Sequence, residues 1–205
     1  MLTIIDYGTG NIGSIKNMLT RLNIQSVISN KPEDILKAEK LILPGVGAFD
    51  NGMQQLNCSG LTGCITEKVL VNKTPILGIC LGVQLLTESS EEGKLPGLGF
   101  IKGKTVAFDK SKLAATEKIP GMGWRTVKNY GQSKLFTEMY EEPRFYFVHS
   151  YHLQVDNADE VMVQADYGYT FSAGVEKENI LGVQFHPEKS HKYGMKLLEN
   201  FAKLY

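Results

Sequence analysis

The chain has 205 residues, 42% of them hydrophobic and 21% charged, which is the composition of a globular protein that buries a sizeable core. Lysine and arginine together number 22, as do aspartate and glutamate, and neither sign forms a long run, so the charge pattern argues against a nucleic-acid or membrane surface. The N-terminus lacks a signal-peptide pattern and the three cysteines form no C-x-x-C pair, so we expect a cytoplasmic protein without a disulfide framework.

The N-terminal half alternates short apolar runs with helical patterns. Strands are predicted over 2–6, 26–29, 40–45 and 75–79. Helices are predicted over 12–22, 31–38, 53–71 and 81–90. Because alternating strands and helices build parallel strand neighbours, this half predicts a parallel sheet that is covered by helices on both faces.

The second half of the chain is richer in strands. Glycines are frequent over 97–127 and the pattern there is irregular, which predicts short strands and loops. Further strands are predicted over 144–151, 160–166, 170–177 and 180–188, and an amphipathic helix closes the chain. No linker or repeat divides the sequence, so residues 1–205 are predicted to form one α/β domain. We expect an open, mostly parallel sheet with helices on both faces and an added β-rich second half.

A glycine motif, G-T-G-N-I-G over 8–13, directly follows the first predicted strand and opens a helix. That context resembles a dinucleotide-binding fingerprint, which also needs an acidic residue at the end of the second strand. Here the acids Glu33 and Asp34 come after the strand 26–29 has ended. We therefore interpret the motif as a tight turn with close helix packing, and nucleotide binding as the weaker alternative.

A cysteine stands in the sequence G-I-C-L-G, where a predicted strand gives way to a helix. Cys80 is either a small core residue or a nucleophile on a sharp strand-to-helix turn. A nucleophile needs a base, a group that orients the base, and donors for an oxyanion. The start of the following helix would favour a thiolate, because helix N-termini attract negative charge.

Four histidines are candidates for the base. We interpret His149 and His152 as polar or interface residues, and His191 as an exposed residue of the closing helix. His186 differs because it lies in G-V-Q-F-H-P-E, where an extended chain would put it on the same face as Glu188. The carboxylate could then orient the imidazole toward a thiol. A surface His and Glu, or a metal site that adds His191, are the alternatives, although the spacing is not H-E-x-x-H.

Two backbone amides could serve as oxyanion donors. One belongs to Leu81, at the start of the helix that follows Cys80. The other is the amide of Val46 in P-G-V-G-A-F, the stretch that ends the third predicted strand. Because the carboxyl ends of parallel strands meet at one edge of a sheet, both turns are expected to lie there.

Three motifs in this order, P-G-V-G-A-F, G-I-C-L-G-V-Q-L-L and G-V-Q-F-H-P-E, resemble the class I (triad-type) glutamine amidotransferases. Within that class, D-Y-G-T-G-N-I-G-S, P-G-M-G-W and F-Y-F-V-H-S-Y are similar to the glutaminase subunits of imidazole glycerol phosphate synthases, which act in histidine biosynthesis. The resemblance extends along essentially the whole chain and implies the amidotransferase fold.

The resemblance implies hydrolysis of L-glutamine to glutamate and ammonia through a cysteine thioester, without a metal or cofactor. Cys80 would be the nucleophile, His186 the base and acid, and Glu188 the orienting carboxylate, with the amides of Val46 and Leu81 as oxyanion donors. The residues that would bind the substrate are Gly47, Gln84, Glu92, Ser150 and Tyr151.

The resemblance also implies a partner, because nothing in the chain resembles a site that uses ammonia. The expected partner is a separate synthase subunit, a phosphate-binding β/α-barrel cyclase, in a heterodimer. The residues expected on the docking face are Met122, Trp124, Tyr146 and Lys189.

One segment departs from the expected pattern. Residues 120–125 read P-G-M-G-W-R, where the resemblance leads us to expect a P-H-M-G-W-N-like loop. A paralogue that feeds ammonia to a sugar-amidating synthetase is therefore an alternative. A silent binding or regulatory protein on the same fold is an alternative of another class, against which the intact Cys80, His186 and Glu188 argue. A hydrolase fold with a cysteine elbow is disfavoured, because its acid normally precedes the histidine.

Overall fold

The computed structural model describes residues 1–128, 130 and 132–205. Its α-helices are α1 (Ile12–Arg21), α2 (Pro32–Lys37), α3 (Phe49–Cys58), α4 (Thr62–Thr66), α5 (Leu81–Leu85) and α6 (His191–Leu204). Its strands are β1 (Leu2–Ile5), β2 (Ser26–Ser29), β3 (Lys40–Gly45), β4 (Ile76–Cys80), β5 (Ser89–Ser90), β6 (Gly103–Ala107), β7 (Gly121–Lys128), β8 (Arg144–His149), β9 (Tyr151–Val155), β10 (Val161–Tyr167), β11 (Tyr169–Lys177) and β12 (Ile180–Val183). Among the described residues, no helix is both long and apolar enough to cross a membrane.

The parallel part of the sheet contains β2, β1, β3, β4 and β12 in that spatial order. Every neighbouring pair in it is parallel, and β12 joins β4 from the far end of the sequence. The carboxyl ends of β3, β4 and β12 therefore meet at one edge of the sheet. This edge is where the candidate site lies.

The antiparallel part continues the same sheet through β11, β10, β7 and β8. A smaller group, β5, β6 and β9, attaches through the pairing of β9 with β11. The prediction of an open α/β sheet with a β-rich second half is confirmed. Over all described strands the sheet is mixed, because the second half adds antiparallel pairs.

Helices cover both faces of the parallel part, as predicted. Successive strand residues point to opposite sides. Ile4 thus packs with α1 and α6 in one buried cluster, while its neighbour Ile5 packs with α2 to α5 in another. Both side chains are fully buried, so β1 is apolar on both faces, as is typical of a strand with helices on either side.

Several predicted elements are divided or end earlier than expected. The helix predicted over 53–71 is wrong as a single element, because a turn at Ser59 and Gly60 separates α3 from α4 and the π-helical turn Glu67–Val71. The helix predicted over 81–90 stops after Leu85 and gives way to β5. The strand predicted over 144–151 is divided at Ser150 into β8 and β9.

The acid that contacts the loop of the glycine motif is Asp6, whose Oδ1 accepts a hydrogen bond from Gly8 N at 3.1 Å. Asp34 lies in the first turn of α2, and its Oδ2 accepts a hydrogen bond from Ser29 Oγ at 2.6 Å. That carboxylate is thus bound to the last residue of β2. The geometry supports the tight-turn interpretation.

Candidate active site

The turn at Cys80 is sharp. Cys80 is the last residue of β4, with φ 55° and ψ −112°, and α5 begins at the next residue. A Cβ at Gly82 would lie 1.8 Å from the Leu43 carbonyl oxygen, and one at Gly78 would lie 2.7 Å from Val83 Cα. Only glycines at these positions allow α5 to begin so close to the sheet. The Cys80 side chain remains at the edge of a cavity and is 7% exposed.

The proposed oxyanion residues lie on either side of this turn. Gly45 pairs with Cys80 in the parallel ladder, so the chain after β3 runs beside the cysteine. Val46 and Gly47 line the same cavity as Cys80, and Gly47 has a φ of +100°. The side chain of Leu81 is buried on the opposite side, against α3, so only its backbone can face the cavity.

His186 and Glu188 are paired, but not by the path that the sequence predicted. The strand predicted over 180–188 ends at Val183, and residues Pro187–Lys189 form a 3-10 turn. The turn brings His186 Nδ1 to 2.8 Å from Glu188 Oε1, with side chains that are 2% and 1% exposed. The predicted pairing of the two side chains is thus present, whereas the extended chain invoked for it is wrong.

Backbone contacts hold this turn against β8. His186 N donates to the Tyr146 carbonyl oxygen at 2.9 Å, and Tyr146 N donates to Ser190 Oγ at 3.0 Å. A Cβ at Gly194 would lie 1.8 Å from the Pro187 carbonyl oxygen, so α6 packs directly on the turn. These contacts fix the position of His186 relative to the sheet edge.

The imidazole of His186 is set up to carry a charge. A carboxylate only accepts, so Nδ1 donates to Glu188, and Nε2 is left buried without a hydrogen-bond partner among the described residues. Burial alone lowers the pKa of His186, but its interactions with Cys80 and Glu188 outweigh burial and raise that pKa to about 10. The ring is therefore favoured as an imidazolium when it faces a thiolate.

A cavity of about 360 Å³ joins these groups. It is lined by Cys80 and His186 together with all the residues that the sequence analysis assigned to the substrate. These are Gly47, Gln84, Glu92, Ser150 and Tyr151. Glu92 Oε2 accepts a hydrogen bond from Phe49 N at 2.9 Å, which ties the carboxylate to the start of α3.

Gln184 is a residue of the site that the sequence analysis missed. It is fully buried, and its Nε2 lies 3.8 Å from Cys80 Sγ. The sequence contained a signal for Gln184, because a residue two positions before His186 in an extended segment points the same way as the histidine.

The interface interpretation of His149 and His152 is wrong, because both rings are buried around Phe108. His149 lines the cavity, and its Nδ1 lies 2.8 Å from the Tyr151 carbonyl oxygen. Burial, followed by weaker repulsion from neighbouring cations, lowers the pKa of His149 to about 3, although the bond to Tyr151 opposes the shift. His149 is thus a neutral imidazole at the wall of the site.

The four residues assigned to a docking face lie together beside the cavity. Met122 and Trp124 point outward from β7 and are 61% and 44% exposed. The Trp124 ring packs edge-on against Tyr146, and Lys189 Nζ lies 5.7 Å from the centre of the Tyr146 ring. Lys189 belongs to the same 3-10 turn as Glu188.

The unexpected residues of the P-G-M-G-W-R segment, Gly121 and Arg125, both lie beside Tyr167. Gly121 and Arg125 point inward from β7, and the Arg125 guanidinium carbon lies 4.1 Å from the centre of the Tyr167 ring. A Cβ at Gly121 would lie 2.9 Å from Tyr167 Cε1 and 3.1 Å from Arg125 Nη2. Tyr167 and Arg125 together thus occupy the space that a side chain at position 121 would need.

A metal site of His186, Glu188 and His191 does not form. The ring of His191 stacks on Trp124 with centres 5.5 Å apart, on the outer surface. Within the described part of the chain, no three His, Cys, Asp or Glu side chains converge as metal ligands.

The chain matches the glutamine amidotransferase class-I family model over residues 3–204. The chain belongs to the class-I glutamine amidotransferases. Of the solved structures, one described as a glutamine amidotransferase covers 98% of this amidotransferase and 97% of its own chain, with a TM-score of 0.76. At 18% identity that likeness shows the fold alone.

Two relatives are much more similar in sequence. The amidotransferase is 55% identical over 203 residues to imidazole glycerol phosphate synthase subunit HisH 2 of Methanococcus maripaludis, and the match covers 99% of both chains. It is 47% identical to imidazole glycerol phosphate synthase subunit HisH 2 of Pseudomonas aeruginosa, with 100% of each chain covered.

Proposed function

We propose that this amidotransferase is the glutaminase subunit of an imidazole glycerol phosphate synthase, acting in the cytoplasm as one domain over residues 1–205. The observation that carries the proposal is that Cys80 and His186 line one cavity at the carboxyl ends of β4 and β12, while the buried Glu188 binds His186 Nδ1. The names of two relatives at 55% and 47% identity, both HisH subunits, supply the pathway.

The chemistry is acyl transfer to a thiol. The Cys80 thiolate attacks the side-chain amide carbon of glutamine, and the amides of Val46 and Leu81 stabilise the resulting oxyanion. His186 donates the Nε2 proton to the leaving nitrogen, so the carbon–nitrogen bond breaks and ammonia departs. Water then attacks the thioester, His186 takes its proton, and glutamate and the free thiolate are released. Glu188 holds Nδ1–H throughout and keeps Nε2 directed at the reaction.

The remaining cavity residues fit a free amino acid. Glu92 is positioned to pair with the substrate ammonium, and the backbone at Gly47, Ser150 and Tyr151 offers polar groups for its carboxylate. Gln84, one helical turn after Cys80, contacts the same ligand.

The ammonia must leave for a second active site. We propose that a β/α-barrel cyclase subunit docks on Met122, Trp124, Tyr146 and Lys189 to form a heterodimer. Lys189 supports this placement, because it lines the cavity and also contacts Tyr146 on the outer surface. Ammonia released at Cys80 would then emerge under the partner and not into solvent.

A second candidate is a paralogous subunit that feeds ammonia to a sugar-amidating synthetase. The P-G-M-G-W-R segment favours it, because Gly121 and Arg125 replace two residues of the expected docking loop. Both relatives also carry the number 2 in their names. The glutaminase chemistry is the same in both candidates, and only the ammonia acceptor differs.

The test is capture of the partner from native extract with the tagged chain, followed by identification of its substrate. A phosphate-binding barrel cyclase supports the first candidate, and an adenylating sugar synthetase supports the second. Ammonia release from glutamine is then measured for the complex, with Cys80→Ala as the matched control. A complex that hydrolyses no glutamine would make the chain a silent binding protein.

A further inference from the structure

Gln184 provides the side-chain amide next to the sulfur of Cys80. It follows β12, is fully buried, and its backbone N donates to the Ala173 carbonyl oxygen at 2.8 Å. Its Nε2 lies 3.8 Å from Cys80 Sγ, within hydrogen-bonding range for sulfur. A neutral thiol is a weak hydrogen-bond acceptor, whereas a thiolate is a charged acceptor that forms a stronger hydrogen bond with such a donor.

The orientation of this amide is determined by a second glutamine. Gln84 Nε2 donates to the Tyr151 carbonyl oxygen at 3.4 Å and to Gln184 Oε1 at 3.0 Å. A backbone carbonyl can only accept, so the nitrogen of Gln84 must face Tyr151 and Gln184. The oxygen of Gln184 therefore faces Gln84, and its nitrogen faces the sulfur.

We propose that Gln184 is the donor that stabilises the Cys80 thiolate, and that Gln84, anchored on Tyr151, is the positioning residue that holds this donor in place. The proposal rests on the proposed function, which makes Cys80 the nucleophile. In a buried site a donor to an anion is worth more than one exposed to water, so the loss of this single N–H affects the thiolate strongly.

The hydrogen bonds of Gln84 to Tyr151 and Gln184 also constrain how Gln84 binds the substrate. Both N–H groups of its amide are engaged by Tyr151 and Gln184. The polar atom that remains for the cavity is Oε1, an acceptor. Gln84 thus contacts a donor of the substrate, an ammonium or amide N–H, and not its carboxylate.

Other titratable groups also face Cys80. His186 and Lys189 from the turn after β12, and Glu92 from the loop after β5, line the cavity with it. His149 from β8 and Tyr151 from β9 line it as well. Tyr7, from the loop after β1, also interacts electrostatically with Cys80. Burial is the main reason that the pKa of Tyr7 is raised to about 12, so Tyr7 stays neutral. A substitution at Gln184 keeps all of these side chains in the protein, so the comparison with the wild type tests the loss of the amide.

The test is the pH dependence of Cys80 alkylation by iodoacetamide, followed by mass spectrometry of the peptide that carries Cys80. We compare the wild-type protein with Gln184→Met, which keeps the length of the side chain but removes the donor. Gln84→Met leaves Gln184 in place and removes only its anchor. Gln154→Leu, on the exposed side of β9, is the matched control. Alkylation of the exposed Cys58 is the internal reference.

We expect Gln184→Met to raise the pH midpoint of Cys80 alkylation by about one unit, a tenfold loss of reactive thiolate at neutral pH. Gln84→Met should raise it by less, because the freed amide still samples the donor orientation. Gln154→Leu and the Cys58 profile should not change. Circular dichroism establishes that each variant is folded.

An unchanged midpoint in folded Gln184→Met overturns the proposal. If that variant does not fold, an unchanged or lowered midpoint in Gln84→Met overturns it instead. The outcome is separable from the proposed function, because alkylation needs no substrate. A wild-type complex that fails to hydrolyse glutamine would refute the proposed function, whatever the alkylation profile.

Discussion

The same substitution, glycine to alanine, is expected to have opposite effects at two glycines of the candidate motifs. Gly13 is the third glycine of the G-T-G-N-I-G motif and lies in the first turn of α1, where a Cβ would meet nothing within 4 Å. Gly82 lies in α5, where a Cβ would lie 1.8 Å from the Leu43 carbonyl oxygen. Gly13→Ala should therefore stabilise the fold, and Gly82→Ala should destabilise it.

The magnitudes follow from these two environments. Alanine is better than glycine in a helix by about 1 kcal/mol, and the effect is smaller near a helix end, so we expect Gly13→Ala to gain roughly 0.5–1 kcal/mol. At Gly82 the new carbon must move from 1.8 Å to at least 3.4 Å from a backbone atom. Overpacking costs 1–3 kcal/mol, and we expect about 3 kcal/mol because backbone cannot rotate away.

Urea unfolding followed by circular dichroism measures both changes in the free energy of unfolding. In a thermal melt, about 1 kcal/mol corresponds to roughly 2–4 °C for a chain of this size. Close packing of a helix on a strand at Gly13, as the third glycine of a dinucleotide fingerprint provides, would predict a loss there. Destabilisation by Gly13→Ala would thus contradict the open space beside Gly13, and a neutral Gly82→Ala would refute the packing argument for the elbow.

Three further predictions concern the site. Cys80→Ala should abolish ammonia release from glutamine while the melting temperature stays near that of the wild-type protein; residual turnover would contradict the thioester mechanism. Glu188→Gln should lower the pKa of His186 from about 10, because it removes a carboxylate that favours the imidazolium, and NMR titration of the ring would show an unchanged value if the pairing were unimportant. His149 has a pKa of about 3 when folded against an ordinary value of 6.5, so between these values the unfolded chain binds more protons and stability falls as the pH falls. His149→Gln should remove a slope of at most about 1.4 kcal/mol per pH unit in that window, measured by urea unfolding at pH 6.5 and 4.5; equal slopes would contradict the buried neutral imidazole.

The site was predictable where local chain geometry determines it. A cysteine between glycines at the end of an apolar run indicated the elbow, and the order of strands and helices indicated that its turn would face that of P-G-V-G. The pairing of the His186 and Glu188 side chains was predicted from strand periodicity. It arises instead from a 3-10 turn that α6 holds in place. Local patterns do not contain that tertiary contact.

The contributions of the second half were harder to predict. Gln184 reaches Cys80 because β12 pairs with β4 across about a hundred residues of sequence. His149 reaches the cavity because β8 pairs with the turn after β12. A polar residue inside a strand pattern looks the same whether it faces solvent or a cavity. The period-two rule that selected His186 also applied to Gln184. Its use there would have placed the side chain of Gln184 on the same face as His186.

Gly121 and Arg125 are linked through the ring of Tyr167. A Cβ at position 121 would lie 2.9 Å from Tyr167 Cε1 and 3.1 Å from Arg125 Nη2, and the Arg125 guanidinium carbon lies 4.1 Å from the centre of the same ring. A larger residue at position 121 therefore has to move both the ring and the end of the arginine. The two departures from the expected docking loop are thus sterically coupled, and an engineered return to that loop is a change at both positions rather than at one.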